Sequence, residues 1–131
     1  MKALDTNVLA RYLRDDDHVQ SRRAAHFIQR AVREKQPLYL NHIVLCELVW
    51  ILTAVYEHQK EEIVNMLETV LLTGQFQLED KPSVEQALED YKKSKADFAD
   101  CLTGRRNRTC GCEATITFDR KLKSLGTFEV V

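Results

Sequence analysis

Apolar and polar residues follow two periods along the chain, and the switches between them outline its elements. Val8, Leu9, Tyr12 and Leu13 recur at helical spacing, which predicts a helix over Thr6–Arg14. A second helix is expected from Asp17 to about Lys35, with Ala24, Ala25, Phe27, Ile28, Ala31 and Val32 as its inner face. Residues from Ile43 to about Glu57 read as a helix that is apolar on nearly every side. Gln59 to about Thr73 is amphipathic, with Gly74 as its stop. Ser83, with Gln86 three places on, resembles a capping box opening a helix to about Lys93, and a last helix is expected from Asp97 to about Arg108. Between these lie short strand candidates: Lys2–Leu4, Leu38–Asn41, Phe76–Leu78, Ala114–Thr117 and Phe128–Val131, with a helical turn at Asp119–Lys123.

Strands that alternate with helices, with few hairpin signals, imply parallel pairing. The expectation is a single α/β domain over residues 1–131, with a central parallel sheet of about five strands flanked by helices on both faces. In such sheets the ligand crevice lies outside the carboxyl ends of the strands. Composition narrows the class further. The chain has 131 residues, 44% apolar and 30% charged, with a formal net charge of −1. That suits an ordinary soluble globular domain and supplies no global pull toward nucleic acid or anionic membrane. The N-terminus does not read as a signal peptide, and the apolar run Ile43–Tyr56 is interrupted by Glu47 and too short to span a bilayer. A cytoplasmic location is expected, and with it reduced cysteines. Cys110-x-Cys112 is a poor match to zinc-ligand spacing.

The candidate chemistry lies in the acids. Asp5 directly follows the first strand and Asp119 the fourth, so both fall at the edge where sites form. Each is also a good N-cap for the helix or turn behind it, which is the commoner role. Glu47 has Ile43, Val44, Trp50 and Ile51 as its helical neighbours, and no lysine or arginine within a turn. On a stripe expected to face the core, an acid needs a partner charge or a cation. Asp97 and Asp100 stand three apart at a helix start, where the dipole favours negative charge. The neighbours Phe98, Cys101 and Leu102 nevertheless turn the segment inward. Four segments thus each bring a carboxylate. Such a cluster repels itself unless a divalent cation neutralises it, and oxygen-only ligands suit Mg²⁺ or Mn²⁺. Metal sites of this kind act on phosphates. With no Gly-rich phosphate loop in the chain, the natural chemistry is phosphodiester hydrolysis.

"LDTNVLARYL", "VLCELVWIL", "ADFADCL" and "TITFDRKL" are similar, in order and spacing, to the motifs of PIN-domain ribonucleases, and more narrowly to VapC toxins of bacterial toxin–antitoxin pairs. The resemblance covers nearly the whole chain. It implies a PIN-like fold and Mg²⁺- or Mn²⁺-dependent RNA cleavage. It matches the family's four acids to Asp5, Glu47, Asp100 and Asp119. Asp5 and Asp100 would be the principal metal ligands, with Glu47 and Asp119 acting directly or through water. Thr6, Asn7 and Thr117 match supporting positions, and Asp97 a helper. The resemblance also implies a homodimer held by an antitoxin whose C-terminal segment blocks the cleft.

One departure is the run Thr103-Gly104-Arg105-Arg106-Asn107-Arg108, where relatives usually continue with small and apolar residues. Gly104 inside a helix costs about 1 kcal/mol relative to Ala. Arg105, Arg106 and Arg108 are either a solvated helix face or phosphate contacts for RNA. Arg11, Arg14, Arg22 and Arg23 form a looser basic cluster. Trp50, Phe27 and Tyr56 read as core or subunit interface. His42 is a marginal site candidate. Two other functions bear comparison. A haloacid-dehalogenase-type phosphatase would want a second Asp two places after Asp5, where Asn7 stands. A non-catalytic RNA- or partner-binding module would not need all four acid positions filled.

Overall fold

The computed structural model describes Met1–Val131, which divide into two compact units, Met1–Glu79 and Asp80–Val131. The α/β class holds, with six helices and five strands, all paired in parallel. The strands form two sheets, one of three and one of two.

In the first unit, strands β1 (Lys2–Ala3), β2 (Leu38–Leu40) and β3 (Phe76–Leu78) lie in that order. Leu38 pairs with both Lys2 and Phe76. Helices α1 (Thr6–Arg14) and α2 (Val19–Arg33) connect the first two strands, and α3 (His42–Ala54) and α4 (Lys60–Leu72) the next two. Leu9, Ile28, Leu38, Leu40, Leu45, Leu48, Leu52, Ile63, Leu67 and Val70 are buried as the core. Each such side chain contributes about 1.5–3 kcal/mol by leaving water. Helix α2 turns a narrower face inward than its composition suggests: Ala24, Ile28 and Ala31 are buried, while Phe27 and Val32 are exposed. Its cap is His18, whose ring accepts from the Gln20 N–H at 3.0 Å. Asp17 therefore lies before the helix. Helix α4 ends at Thr73 in extended backbone, so no left-handed glycine cap forms at Gly74. No helix is long and apolar enough to cross a membrane.

The second unit holds α5 (Lys81–Lys93), α6 (Phe98–Thr109), strands β4 (Thr115–Thr117) and β5 (Phe128–Val130), and a 3-10 turn at Arg120–Leu122. The expected Ser83 capping box is replaced by Asp80. Asp80 takes the N-cap position at φ 40°, and its carboxylate accepts from the Ser83 hydroxyl at 2.5 Å. Pro82 in the first turn explains the earlier start, since proline is well suited to a position whose N–H has no helical partner. Val84, Ala87, Leu88 and Tyr91 of α5 and Phe98, Cys101 and Leu102 of α6 are all buried. The rings of Tyr91 and Phe98 meet edge to face at 5.9 Å.

Two features hold α6 in place. Asp90 is 1% exposed and receives both Arg105 Nε at 2.7 Å and Arg105 Nη2 at 2.9 Å. Gly104 supplies the other. A Cβ built there would lie 2.5 Å from Thr127 Oγ1 and 2.6 Å from a Phe128 ring carbon. The glycine that looks like a helix defect is what lets α6 approach the β5 segment.

Two stability outcomes are expected. Gly104→Ala gains about 1 kcal/mol of helix propensity but costs about 1–3 kcal/mol in overpacking, so its thermal melt falls below the parent's; a higher melt would show that the contact relaxes freely. Arg105→Ala takes both hydrogen bonds from a buried carboxylate and leaves it only Lys93 at 3.6 Å, so it should cost about 2–4 kcal/mol in urea unfolding, and a cost under about 0.5 kcal/mol would make the pair ornamental.

Candidate active site

In the first unit, Asp5 ends the segment that follows β1 and caps α1. Its Oδ1 accepts from the Asn7 N–H at 3.1 Å, and its backbone carbonyl from Leu9. Thr6 is buried beneath it, while Asp5 and Asn7 are exposed. Asp5 and Asn7 also line a cavity of about 570 Å³ with Arg11, Gln20, Arg23 and Phe27. The capping role and a ligand role are compatible here, because the N–H takes only one of the carboxylate's oxygens.

Glu47 departs from expectation. The buried face of α3 is His42, Leu45, Leu48, Val49 and Leu52. Glu47 is exposed, as are Ile43 at 69% and Trp50 at 64%. The apolar stripe around Glu47 therefore faces outward, and its acid needs no buried partner. Trp50 is correspondingly not a core residue.

The second unit gathers three of the acids. Asp97 takes the N-cap position of α6 without a side-chain hydrogen bond to the first turn. Its carboxylate is exposed. Asp119 caps the 3-10 turn by accepting from the Lys121 N–H at 2.9 Å, and its own N–H donates to Thr117 Oγ1 at 3.0 Å. Thr117 thus sets the turn that presents Asp119. Asp100 is half-buried between them. Burial, then the charges of Asp97 and Asp119, push its carboxyl above the ordinary carboxylate range, against a smaller opposing pull from Lys121. Asp97 and Asp119 are near enough to oppose the ionisation of Asp100, which is the electrostatic condition that a cation relieves. All their donor atoms are oxygens, which fits Mg²⁺ or Mn²⁺. Within neither unit are three His, Cys, Asp or Glu side chains gathered as a formed ion cage.

The basic residues are largely committed elsewhere. Arg105 is bound to Asp90. Arg108 donates to the carbonyls of Glu113 at 3.2 Å and Gly126 at 2.6 Å, closing the loops around β4. Both act within the fold, and Arg106 is exposed at the surface of α6. Arg14 stacks on Tyr56 at 3.8 Å and meets His58 and Asp16. Arg22 donates to the Asp17 carbonyl. His42 is buried and tied to Glu79, whose side chain accepts from the His42 N–H at 2.9 Å. Glu79 is an acid directly after β3. The rule that singles out Asp5 and Asp119 could have found it, though its geometry fastens α3 to the sheet edge.

These positions can be set against known proteins. No solved structure matches the chain. It is 31% identical over 127 residues to a protein named VapC ribonuclease from Aquifex aeolicus (strain VF5), an alignment that covers 96% of this chain and 93% of that relative. A family model described as PIN domain matches residues 2–127, a span that includes every acid considered above. On that match and that identity, the chain belongs to the PIN domain family.

Proposed function

We propose that the chain is a Mg²⁺- or Mn²⁺-dependent endoribonuclease that hydrolyses RNA phosphodiester bonds, and that it is the toxin of a toxin–antitoxin pair. The observation that carries this reading is the 31% identity, along 96% of the chain, to a relative named a ribonuclease. The electrostatics of Asp100 support it. A half-buried acid flanked by two others is costly to ionise alone, and a divalent cation reverses that.

In this reading Asp5 and Asp100 are the principal ligands, and Glu47 and Asp119 act directly or through water. When bound, the metal supplies positive charge for the phosphate and lowers the pKa of water. The chain's own residues do the positioning. Thr117 and the Lys121 N–H hold Asp119. The Asn7 N–H holds one oxygen of Asp5. Thr6, buried below, supports that turn. Asp97 adds negative potential to draw the cation. A cognate antitoxin and a second copy of the chain are the protein partners the family resemblance implies.

RNA cleavage with and without Mg²⁺ or Mn²⁺ tests the reading. Asp5→Asn and Asp100→Asn should each lose at least about a hundredfold in rate while staying folded, because each removes a ligand charge and keeps the side chain's shape and an oxygen acceptor. Undiminished cleavage by either variant would sink the metal assignment, and metal binding with no turnover on any RNA would favour a non-catalytic module.

Asp100 also predicts a pH effect. Its carboxyl is raised in the folded chain from the ordinary value of 3.8, so its ionised form opposes folding. The penalty is absent below pH 3.8 and is complete once pH passes the raised value. Without metal, Asp100→Asn should therefore melt higher than the parent at neutral pH and equal it in strong acid. Added Mn²⁺ should raise the parent's melt and leave the variant's unchanged. Identical metal-free melts at neutral pH would show that the ionised Asp100 carboxylate does not oppose folding.

A further inference from the structure

The second unit carries a second charged group, opposite in sign to the acids. A surface pocket of about 460 Å³ is lined by Lys93, Lys95, Arg120, Lys121, Lys123 and two serines. Every lining residue is a cation or a serine, with no acid among them. Mixed surfaces intersperse the two signs, and a single-sign concavity focuses field. Lys93 reaches Asp90 at 3.6 Å, and Lys121 reaches Asp119 at 4.0 Å. Lys95, Arg120 and Lys123 are exposed and make no ion pair. Two chain segments bring these cations together, the end of α5 with the α5–α6 connection, and the turn after β4. The same segments carry Asp97 and Asp119, which flank Asp100. Lys95 stands two residues before Asp97, and Arg120 directly follows Asp119.

This adjacency answers a problem raised by the acids. Three carboxylates repel a phosphate backbone, and the chain's net charge of −1 does nothing to offset that. Cations beside them would hold the phosphates flanking the bond to be cut. Backbone contacts of this type fix register and orientation without reading bases. Lysines as compact, mobile charges and one arginine with a forked donor set suit phosphate oxygens on a flexible strand.

We propose that this pocket is an RNA-backbone site, in which Lys95, Arg120 and Lys123, assisted by Lys93 and Lys121, grip phosphates of a single-stranded substrate and position it for the acids of the same unit. The proposal rests on the ribonuclease reading above. Its residues are positioning residues and take no part in the chemical step.

The test is binding of a labelled oligouridylate to the full chain in EDTA, across a salt series, for the parent and for Lys95→Ala/Arg120→Ala/Lys123→Ala. Loss of three phosphate contacts should flatten the log–log salt slope by about 2 and weaken binding by at least about tenfold at moderate salt. The charge-keeping variant Lys95→Arg/Arg120→Lys/Lys123→Arg should retain the parent's slope. With Mn²⁺ present, the alanine variant should raise KM and keep kcat. If the triple variant does not fold, the single changes Lys95→Ala and Lys123→Ala serve, each flattening the slope by about 0.7. An unchanged slope and affinity would overturn the site while leaving cleavage intact. Patch-dependent binding by a parent that never cleaves would instead overturn the ribonuclease reading alone. RNA affinity kept by the triple variant while binding of polyglutamate is lost would assign the pocket to an acidic protein partner and overturn the RNA assignment. No RNA binding by the parent would overturn it outright.

Discussion

The placement of α6 is the constraint on which the second unit depends. On one side the buried Asp90 carboxylate receives Arg105 through two hydrogen bonds, and on the other the backbone at Gly104 leaves no room for a Cβ beside Thr127 and Phe128. A bidentate pair with one partner buried tolerates little displacement, because the Asp90 carboxylate left without it in the interior is costly. The contact at Gly104 is steric and sets the approach to the β5 segment. Together they fix the helix one turn beyond Asp100. The acid at its start is thereby held half-buried, and that partial burial is the largest cause of its raised carboxyl.

From this follows the electrostatic character of the unit. Asp97 has no cap hydrogen bond to neutralise it, and Asp119 spends one oxygen on the Lys121 N–H. Both leave negative potential at Asp100. The cations of the neighbouring pocket are carried by the same two segments, so acids and bases alternate along the chain but separate in space. Lys121 belongs to both groups. Its amine lies 4.0 Å from Asp119 and lowers the carboxyl of Asp100, yet it lines the basic pocket. In the proposed reading, acids that take a metal beside cations that take phosphate give the division of charge that handling a phosphodiester through a metal requires.

Legibility in the sequence varied with how one-sided each element is. Helix α1 spans the residues its period predicts, and β3 likewise, because a single apolar face leaves only one orientation. Helix α3 is apolar nearly all round, so its period does not say which side is covered. Glu47 sits on the side left open beside Ile43 and Trp50. At α5 two capping signals overlap, and Asp80 with Pro82 prevails over Ser83 because proline needs no donor partner in the first turn. The basic run of α6 reads equally as a surface or as a phosphate grip. Arg105 is claimed by Asp90, fifteen residues earlier, a pairing no local pattern reveals.

The sequence by itself determined the α/β alternation, the parallel pairing, the acids that end strands and the motif order shared with PIN domains. These rest on local periodicity, turn chemistry and residue type, which act within a few positions. The tertiary structure decided which charges are used inside the fold and which remain available to a ligand. Gly104 changed from a helix weakness to a packing requirement, Arg105 from a surface cation to the partner of a buried acid, and Lys95, Arg120 and Lys123 came together in one pocket. The reason is that desolvation and Coulomb energy depend on distance through space, which sequence separation does not encode.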